Sequence, residues 1–339
     1  MRIIFFSCDT SDYLNISLLH GLKSLENVEV IDFPKSEISY NINKYELSPF
    51  IRGNAFSLFF NLEDKNLNRF HIKYDYIIPG DYDLVIFGDI KSSFGYYFEL
   101  FPYLKKNSTA ILDGSDDSFL FGNEGFFWKK MYYWLIPKPQ NFFLYFKREL
   151  IHSEIIKAKY FKLLPKFLTY LIPQNKNLRK VAFSFPESKI VSNLPLKIKL
   201  FPEHIVDEEI CEYIYNNKQS KYVFDNEQDY YQDLKSSKFG ITTKRAGWDC
   251  LRHYEIAANA TVICFRDLDK KPKDCAPHGL LPGFNCISYK NYNDLMTQIN
   301  NINEEKYSIL QTNTLNWIKE NTTSNRAKNF LKNYNIKTE

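Results

Sequence analysis

The densest set of side chains capable of chemistry lies between residues 239 and 265. Lys244 and Arg245 sit close together in a loop, and Asp249, Arg252, His253 and Glu255 follow within three turns. Two cations just ahead of a helix start make a site for an anion. The first N–H groups of a helix have no partner within it, and its dipole favours negative charge there. An acid one or two turns further on can accept hydrogen bonds from the vicinal hydroxyls of a ribose. The combination suits a nucleoside diphosphate. A solvated helix face with ordinary ion pairs would use the same residues, so residue types alone leave both readings open.

These side chains need a strand–loop–helix–strand unit to position them. Phe239 with Ile241, and Val262 with Cys264, give short β-type runs. Asp249 is expected as the N-cap of a helix over about 250–258, with Asn259 closing it. At 100° per residue, Cys250, Leu251, Tyr254, Ala257 and Ala258 share one face, the core face. Asp249, Arg252, His253, Glu255 and Asn259 fall on the other.

The stretch K-R-x-G-W-D-x-x-R-x-x-E-x-x-A, from Lys244 to Ala258, resembles the donor-binding segment of nucleotide-sugar glycosyltransferases of the GT-B architecture. The nearest likeness is to bacterial and viral surface-polysaccharide transferases. The resemblance implies two Rossmann-like α/β domains facing each other across a cleft, with a C-terminal helix crossing back to the first. It implies donor binding by Lys244, Arg245, Gly247, Trp248, Asp249, Arg252 and Glu255, with Lys244 and Arg245 on the diphosphate and Glu255 on the ribose. Many retaining members carry two acids eight positions apart; here the position eight before Glu255 is Gly247. The stereochemical outcome therefore stays open. The resemblance is strongest over 230–300.

A transferase of this kind needs a base for the acceptor hydroxyl. Two acidic turns follow predicted strands of the first half, where open α/β sheets bind ligands. One is Cys8–Asp12, where Asp9 is the catalytic candidate and Asp12 could also face the cleft; the other is Asp113–Asp117, offering Asp116 and Asp117. Turn and cap roles explain the same residues. The loop 266–282 also follows a strand, and the resemblance makes it the loop that closes on the sugar. Asp267 and His278 are its candidate sugar contacts, with plain loop polarity as the alternative.

The chain has 339 residues, long for one core and suited to two domains. The expected division is an acceptor domain over 1–185, a donor domain over 186–318 and a terminal helix over 319–339. In the first, RIIFFS, DLVIFG, TAIL and FFLYFK read as strands, and His20 as structural. In the second, 197–201 and 222–224 are expected as strands besides those flanking the central helix. Helices are expected over 207–216, 292–302, 305–320 and 324–334.

The net charge is only +4, but residues 127–180 hold twelve Lys and Arg against two acids. They are interleaved with Phe127, Trp128, Tyr132, Tyr133, Trp134, Phe161 and Tyr170. Such a segment suits an anionic membrane surface better than nucleic acid. A basic rim around an ordinary core is the plain alternative. The six cysteines lack any metal-ligand spacing, so neither metal nor cofactor is expected; the nucleotide sugar is substrate. A start that runs directly into a strand, and no apolar run of membrane-spanning length, predict a cytoplasmic protein, and the basic segment adds the inner membrane's cytoplasmic face as an expected place of contact. The expected partners are a nucleotide-sugar donor and a glycan or lipid-linked acceptor in surface polysaccharide or lipopolysaccharide synthesis. A nucleotide-sugar epimerase or hydrolase on the same fold, and a non-enzymatic membrane-binding module, are the rivals.

Overall fold

The computed structural model describes residues 1–7, 10–41, 51–63, 77–121, 137–159, 165–169, 171–216 and 223–334. Two parallel sheets organise them. The first contains β1 (Arg2–Phe6), β2 (Glu29–Phe33), β3 (Leu84–Phe87), β4 (Thr109–Asp113), β5 (Leu144–Lys147) and β6 (Leu178–Lys180), in the order β2-β1-β3-β4-β5-β6. The second contains β7 (Phe239–Thr242), β8 (Val262–Arg266) and β9 (Cys286–Tyr289), in that order. Every pairing between these strands is parallel. This is the GT-B arrangement of two Rossmann-like domains.

The strands are apolar on both faces because helices cover both. Ile4, Phe6, Val85, Phe87, Ile111 and Tyr145 point to one side, where Ile90, Tyr97 and Leu100 of α2 (Ile90–Leu100) join them. Ile3, Phe5, Leu84, Ile86, Ala110, Leu112 and Phe146 point to the other. There they meet Leu14, Leu18 and Leu22 of α1 (Tyr13–Lys23). The period-2 alternation of side chains along each strand produces this split. The chain runs β1 to β2 on one side of β1, then returns to place β3 on the other. The crevice of the first sheet therefore opens beyond the ends of β1 and β3.

The second domain adds α3 (Glu208–Tyr215), α4 (Glu227–Ser236), α5 (Leu251–Ala258), α6 (Tyr292–Asn300) and α7 (Glu304–Glu320). Two expected strands do not form. Around 197–201 only an isolated bridge, Lys199 to Ser237, is present, and Val223–Phe224 pairs with nothing in strand form. The alternation at 196–200 is read the wrong way round by a hydrophobic pattern. Leu196 and Ile198 are 83% and 76% exposed, while Lys197 turns inward to donate to the carbonyls of Leu234 and Asn259 and to the Thr261 hydroxyl. Helix α4 occupies the place expected to follow a strand.

The last helix, α8 (Thr323–Lys332), leaves the second domain and packs on the first, against α1. Phe185 N–H donates to Asn321 O at 3.1 Å and Thr323 N–H to Phe185 O at 2.9 Å, stitching the crossing. The Phe330 ring lies 4.6 Å from that of Phe146 on β5. His20, on α1, meets the Thr323 hydroxyl through Nδ1 at 2.8 Å, a structural role.

Gly21 allows α1 and α8 to approach this closely: a Cβ there would lie 2.0 Å from the Thr323 carbonyl oxygen. In an open helix position, Gly→Ala stabilises by about 1 kcal/mol. Here the added methyl forces the backbones apart, an overpacking cost of roughly 1–3 kcal/mol. Gly21→Ala is therefore expected to lower the melting temperature, and a rise would disprove the close packing.

Candidate functional site

Residues 147–149 and the central stretch 244–255 dock against one another. At the end of β5, Arg148 is buried with its guanidinium spread between domains. Its Nε donates to Gly114 O at 3.0 Å, its Nη1 to Asp249 O at 2.7 Å, and its Nη2 pairs with Asp116. Beside it, Glu149 Oε1 accepts the backbone N–H groups of Trp248 and Asp249 at 2.8 and 3.2 Å. Asp249 in turn accepts the Phe183 N–H at 2.9 Å through Oδ2 and the Tyr254 hydroxyl at 3.0 Å through Oδ1. Burial raises the pKa values of Glu149 and Asp249, with Arg148 opposing that shift in both.

This seam corrects several expectations. Asp249 does not cap the central helix. The cap position is Cys250, with no side-chain cap bond, and Asp249 ties the loop to Phe183 instead. A Cβ on Gly247 would lie 2.6 Å from Glu149 Oε1, so this glycine serves close approach between domains. The Trp248 ring is buried, with Lys244 Nζ 5.2 Å from its centroid. Gly247, Trp248 and Asp249 thus lie in the seam between the domains. The polar face of α5 is not solvated either. His253 is fully buried between Thr242 Oγ1 at 3.0 Å and Trp248 O at 3.0 Å, stacked on Phe265. Asn259 is the C-cap, as the sequence indicated.

A cavity of about 110 Å³ opens at the first turn of α5, between the domains. Arg245, Cys250, Leu251, Arg252, Glu255 and Tyr230 line it from the second domain, and Tyr13, Gly53 and Phe56 from the first. Arg245, Arg252, the helix start and Glu255 are therefore brought together. The positive field there is visible in His204. Burial, then Arg252 and Arg245, push its pKa down to about 4. Lys244 is exposed at the rim of this region and does not line the cavity.

Glu255 is 8% exposed, and both its oxygens are engaged. The Ser57 hydroxyl donates to Oε1 and the Tyr230 hydroxyl to Oε2 at 3.0 Å. Burial raises the Glu255 pKa, against those two bonds and Arg252. Nothing in the sequence pointed to Ser57 or Tyr230. Ser57 lies in a stretch without readable periodicity, and tyrosine is too common here, at 24 residues, to stand out.

Of the candidate bases, Asp9 lies outside the described residues. Asp116 is held by Arg148, and Asp117 is bridged by Lys147 at 3.7 Å and Lys91 at 3.4 Å and accepts the Phe119 N–H. Beneath them, Asp113 and Lys147 form a fully buried pair at 3.0 Å. Burial alone would raise the Asp113 pKa, but Lys147, Ser115 and Tyr145 override it and hold it below the ordinary range. Asp12 differs from all of these. It sits between β1 and α1, with Oδ1 capping α1 on Asn15 N at 2.6 Å. A Cβ on Gly114 would lie 2.5 Å from its Oδ2. Burial and the charge of Asp89, the cap of α2, raise its pKa to about 7.

Asp267 and His278 lie away from the cavity. Asp267 adopts a left-handed backbone and pairs with Lys270 at 2.9 Å. His278 lines a separate groove with Trp317, whose Nε1 donates to its carbonyl at 2.8 Å. Among the described residues, no group of three or more His, Cys, Asp and Glu is placed to hold a metal ion.

No protein-family model matches the chain, and no curated protein does. Among solved structures, the chain is similar to Alr3699/HepE of Anabaena in complex with UDP. The TM-score is 0.53 at 10% identity, covering 99% of this chain and 100% of that one. The same Anabaena protein with UDP-glucose aligns with a TM-score of 0.49, at 9% identity over 99% of each chain. A UDP-N-acetylglucosamine 2-epimerase aligns at 0.45, with 8% identity over 100% of this chain and 97% of that one. At these identities the first likeness establishes the shared fold.

The raised pKa of Asp12 predicts a pH-dependent stability with a definite sign. Its ionised form is disfavoured in the folded state, so stability is lost as pH rises from about 4 to about 7. Asparagine caps a helix as well as aspartate and cannot ionise. Asp12→Asn should leave the melting temperature unchanged near pH 4 and raise it at pH 8. An equal shift at both values would mean that Asp12 is not so perturbed.

Proposed function

We propose that this chain is a glycosyltransferase that moves a sugar from a nucleotide-sugar donor to a hydroxyl of a glycan or lipid-linked acceptor. The observation that carries the proposal is the convergence of Arg245, Arg252 and the uncapped start of α5 on one interdomain cavity that also contains Glu255. Cations and helix N–H groups are what a departing diphosphate needs, because its charge grows in the transition state. The UDP bound by the Anabaena protein of the same fold supports a uridine nucleotide as the first donor to test.

In this reading Arg245 and Arg252 hold the diphosphate, with Lys244 at the rim adding long-range attraction. Glu255 takes the ribose hydroxyls. Asp12 is the acceptor base in preference to Asp116 or Asp117, which are engaged by cations. It stands at the point where the strand order of the first sheet reverses, next to Asp89, and its pKa of about 7 suits proton abstraction near neutrality. Asp267 and His278 are not assigned a role in the sugar site.

The finer proposal is that the acceptor belongs to a surface polysaccharide or lipopolysaccharide, handled at the cytoplasmic face of a membrane. The aromatics counted for that contact at 127–134, 161 and 170 lie outside the described residues. Lys147 and Arg148 do not contribute to a basic surface, because both are buried. Phe167 and Leu171 are exposed in the same segment, at 70% and 77%. Among the described residues, no helix is long and apolar enough to cross a membrane.

Calorimetric titration with UDP tests the donor site. Losing one charge-assisted contact of about 1.5–3 kcal/mol, Arg245→Ala should bind UDP roughly 10- to 100-fold more weakly, with its melting temperature kept. Undiminished affinity would refute the site. Asp12→Asn should bind UDP normally yet lose transfer, and the acid limb of the wild-type kcat/KM profile should fall near pH 7. Rapid turnover of donor without any acceptor would point to an epimerase or hydrolase instead.

A further inference from the structure

Glu255 already holds two hydroxyls, and one of them belongs to the opposite domain. The loop 51–62 of the first domain reaches across the gap and anchors on the second at three points. The Ser57 hydroxyl donates to Glu255 and lies 2.6 Å from the Tyr231 hydroxyl. Ser57 N–H donates to Glu227 Oε1 at 2.5 Å, on the carboxylate that Lys189 pairs with at 2.7 Å. Asn54 Nδ2 donates to Phe224 O at 3.0 Å. The ring of Phe56 stacks on Tyr230, 6.0 Å between centroids and 24° between planes.

This occupancy decides the size of the cavity. About 110 Å³ remains, whereas pockets that bury ligands of drug size run to roughly 300–1,000 Å³. A nucleoside diphosphate does not fit while the loop is in place. The loop is also held in backbone conformations that side chains other than glycine rarely adopt. Asn54, Ala55, Ser57 and Phe60 have φ of 54°, 58°, 68° and 56°. Such conformations persist only where surrounding contacts impose them.

We infer that the loop 51–62 is a built-in occupant of the nucleotide site, a latch that presupposes the donor site proposed above. Adjacent residues Phe56 and Ser57 offer an aromatic face to Tyr230 and a hydroxyl to Glu255. A nucleoside offers the same pair, a base and a ribose hydroxyl. The donor nucleotide therefore competes with the loop for Tyr230 and Glu255. Binding releases Phe56 and Ser57 and lets the strained backbone relax.

The apparent affinity for nucleotide is then reduced by the fraction of molecules in which the latch is closed. UDP titration of the wild type, Phe56→Ala, Ser57→Ala and Arg245→Ala tests this. Ser57→Ala should tighten UDP binding by about tenfold, for the loss of a hydrogen bond to a charged acceptor, and Phe56→Ala by roughly two- to tenfold, for the loss of an aromatic stack. Unchanged or weaker binding in both, with Arg245→Ala still losing UDP, would overturn the latch alone. Binding by Arg245→Ala equal to wild type would instead remove the donor site and the latch with it. Hydrogen exchange on the unmodified chain gives a second readout. Amides of 51–62 should exchange faster with saturating UDP; slower exchange would mean that the loop closes over the nucleotide, contrary to the proposal.

Discussion

The contact on which the arrangement of the two domains depends is a buried guanidinium beside a buried carboxylate. Arg148 and Glu149 end a strand of the first sheet and receive the 247–249 turn of the second domain, one through its carbonyl and the other through its N–H groups. Neither charge is tolerable in isolation. A buried ion whose partner is removed costs roughly 3–5 kcal/mol, although an intact pair contributes little against an apolar replacement. The network therefore defines position more than it adds stability. It fixes where α5 begins relative to the ends of β4 and β5, and hence where Arg245, Arg252 and Glu255 stand relative to Asp12.

The same seam explains the glycine and the aspartate of the central motif without reference to a ligand. Gly247 lets the turn lie against Glu149, and Asp249 reaches Phe183 in the crossing between domains. A motif that looks like a binding signature can thus be divided. Its two arginines and glutamate meet at a cavity, while its glycine, tryptophan and aspartate hold the domains together. Helix α8 makes the complementary tie on the far side, where the Gly21 site leaves no room for a side chain.

The α/β class and the parallel strands of the first sheet were legible because buried strands there are continuous apolar runs, RIIFF and LVIF among them. The central helix was legible for the same kind of reason, since its core face is separated by angle. Its polar face stayed ambiguous, because a charged helix face looks alike whether it meets water or another domain. The segment 196–200 defeated pattern reading outright. A lysine whose ammonium reaches two carbonyls and a hydroxyl can be the inward residue, and the alternation then points the wrong way. Asp12 was visible as an acid after a strand, but its perturbation was not. That depends first on burial and then on Asp89, 77 positions away and brought beside it only by the strand crossover. Ser57 had no sequence signal because its partners, Glu255 and Tyr231, are distant in the chain and its own segment lacks periodicity.

Four carboxyl groups near the interdomain gap, Asp12, Glu149, Asp249 and Glu255, are raised above their ordinary values, each first of all by burial. Asp113 is handled differently: it lies under Lys147, whose charge, with hydrogen bonds from Ser115 and Tyr145, overrides the burial. Stability alone would favour that second solution everywhere, since an under-compensated buried acid lowers the folded state's free-energy advantage above its pKa. Asp12 stands beside another acid, with no cation in hydrogen-bonding contact among the described residues, which costs stability above its raised pKa; in the proposed function it is the acceptor base. Glu255 is satisfied by two hydroxyls, one of them on a loop with left-handed backbone, and under the inferred latch these are the bonds a nucleotide would replace. Perturbed groups concentrate at sites of chemistry. Asp12 and Glu255 stand on opposite domains, on either side of one seam, which is the placement the proposed transfer between donor and acceptor requires.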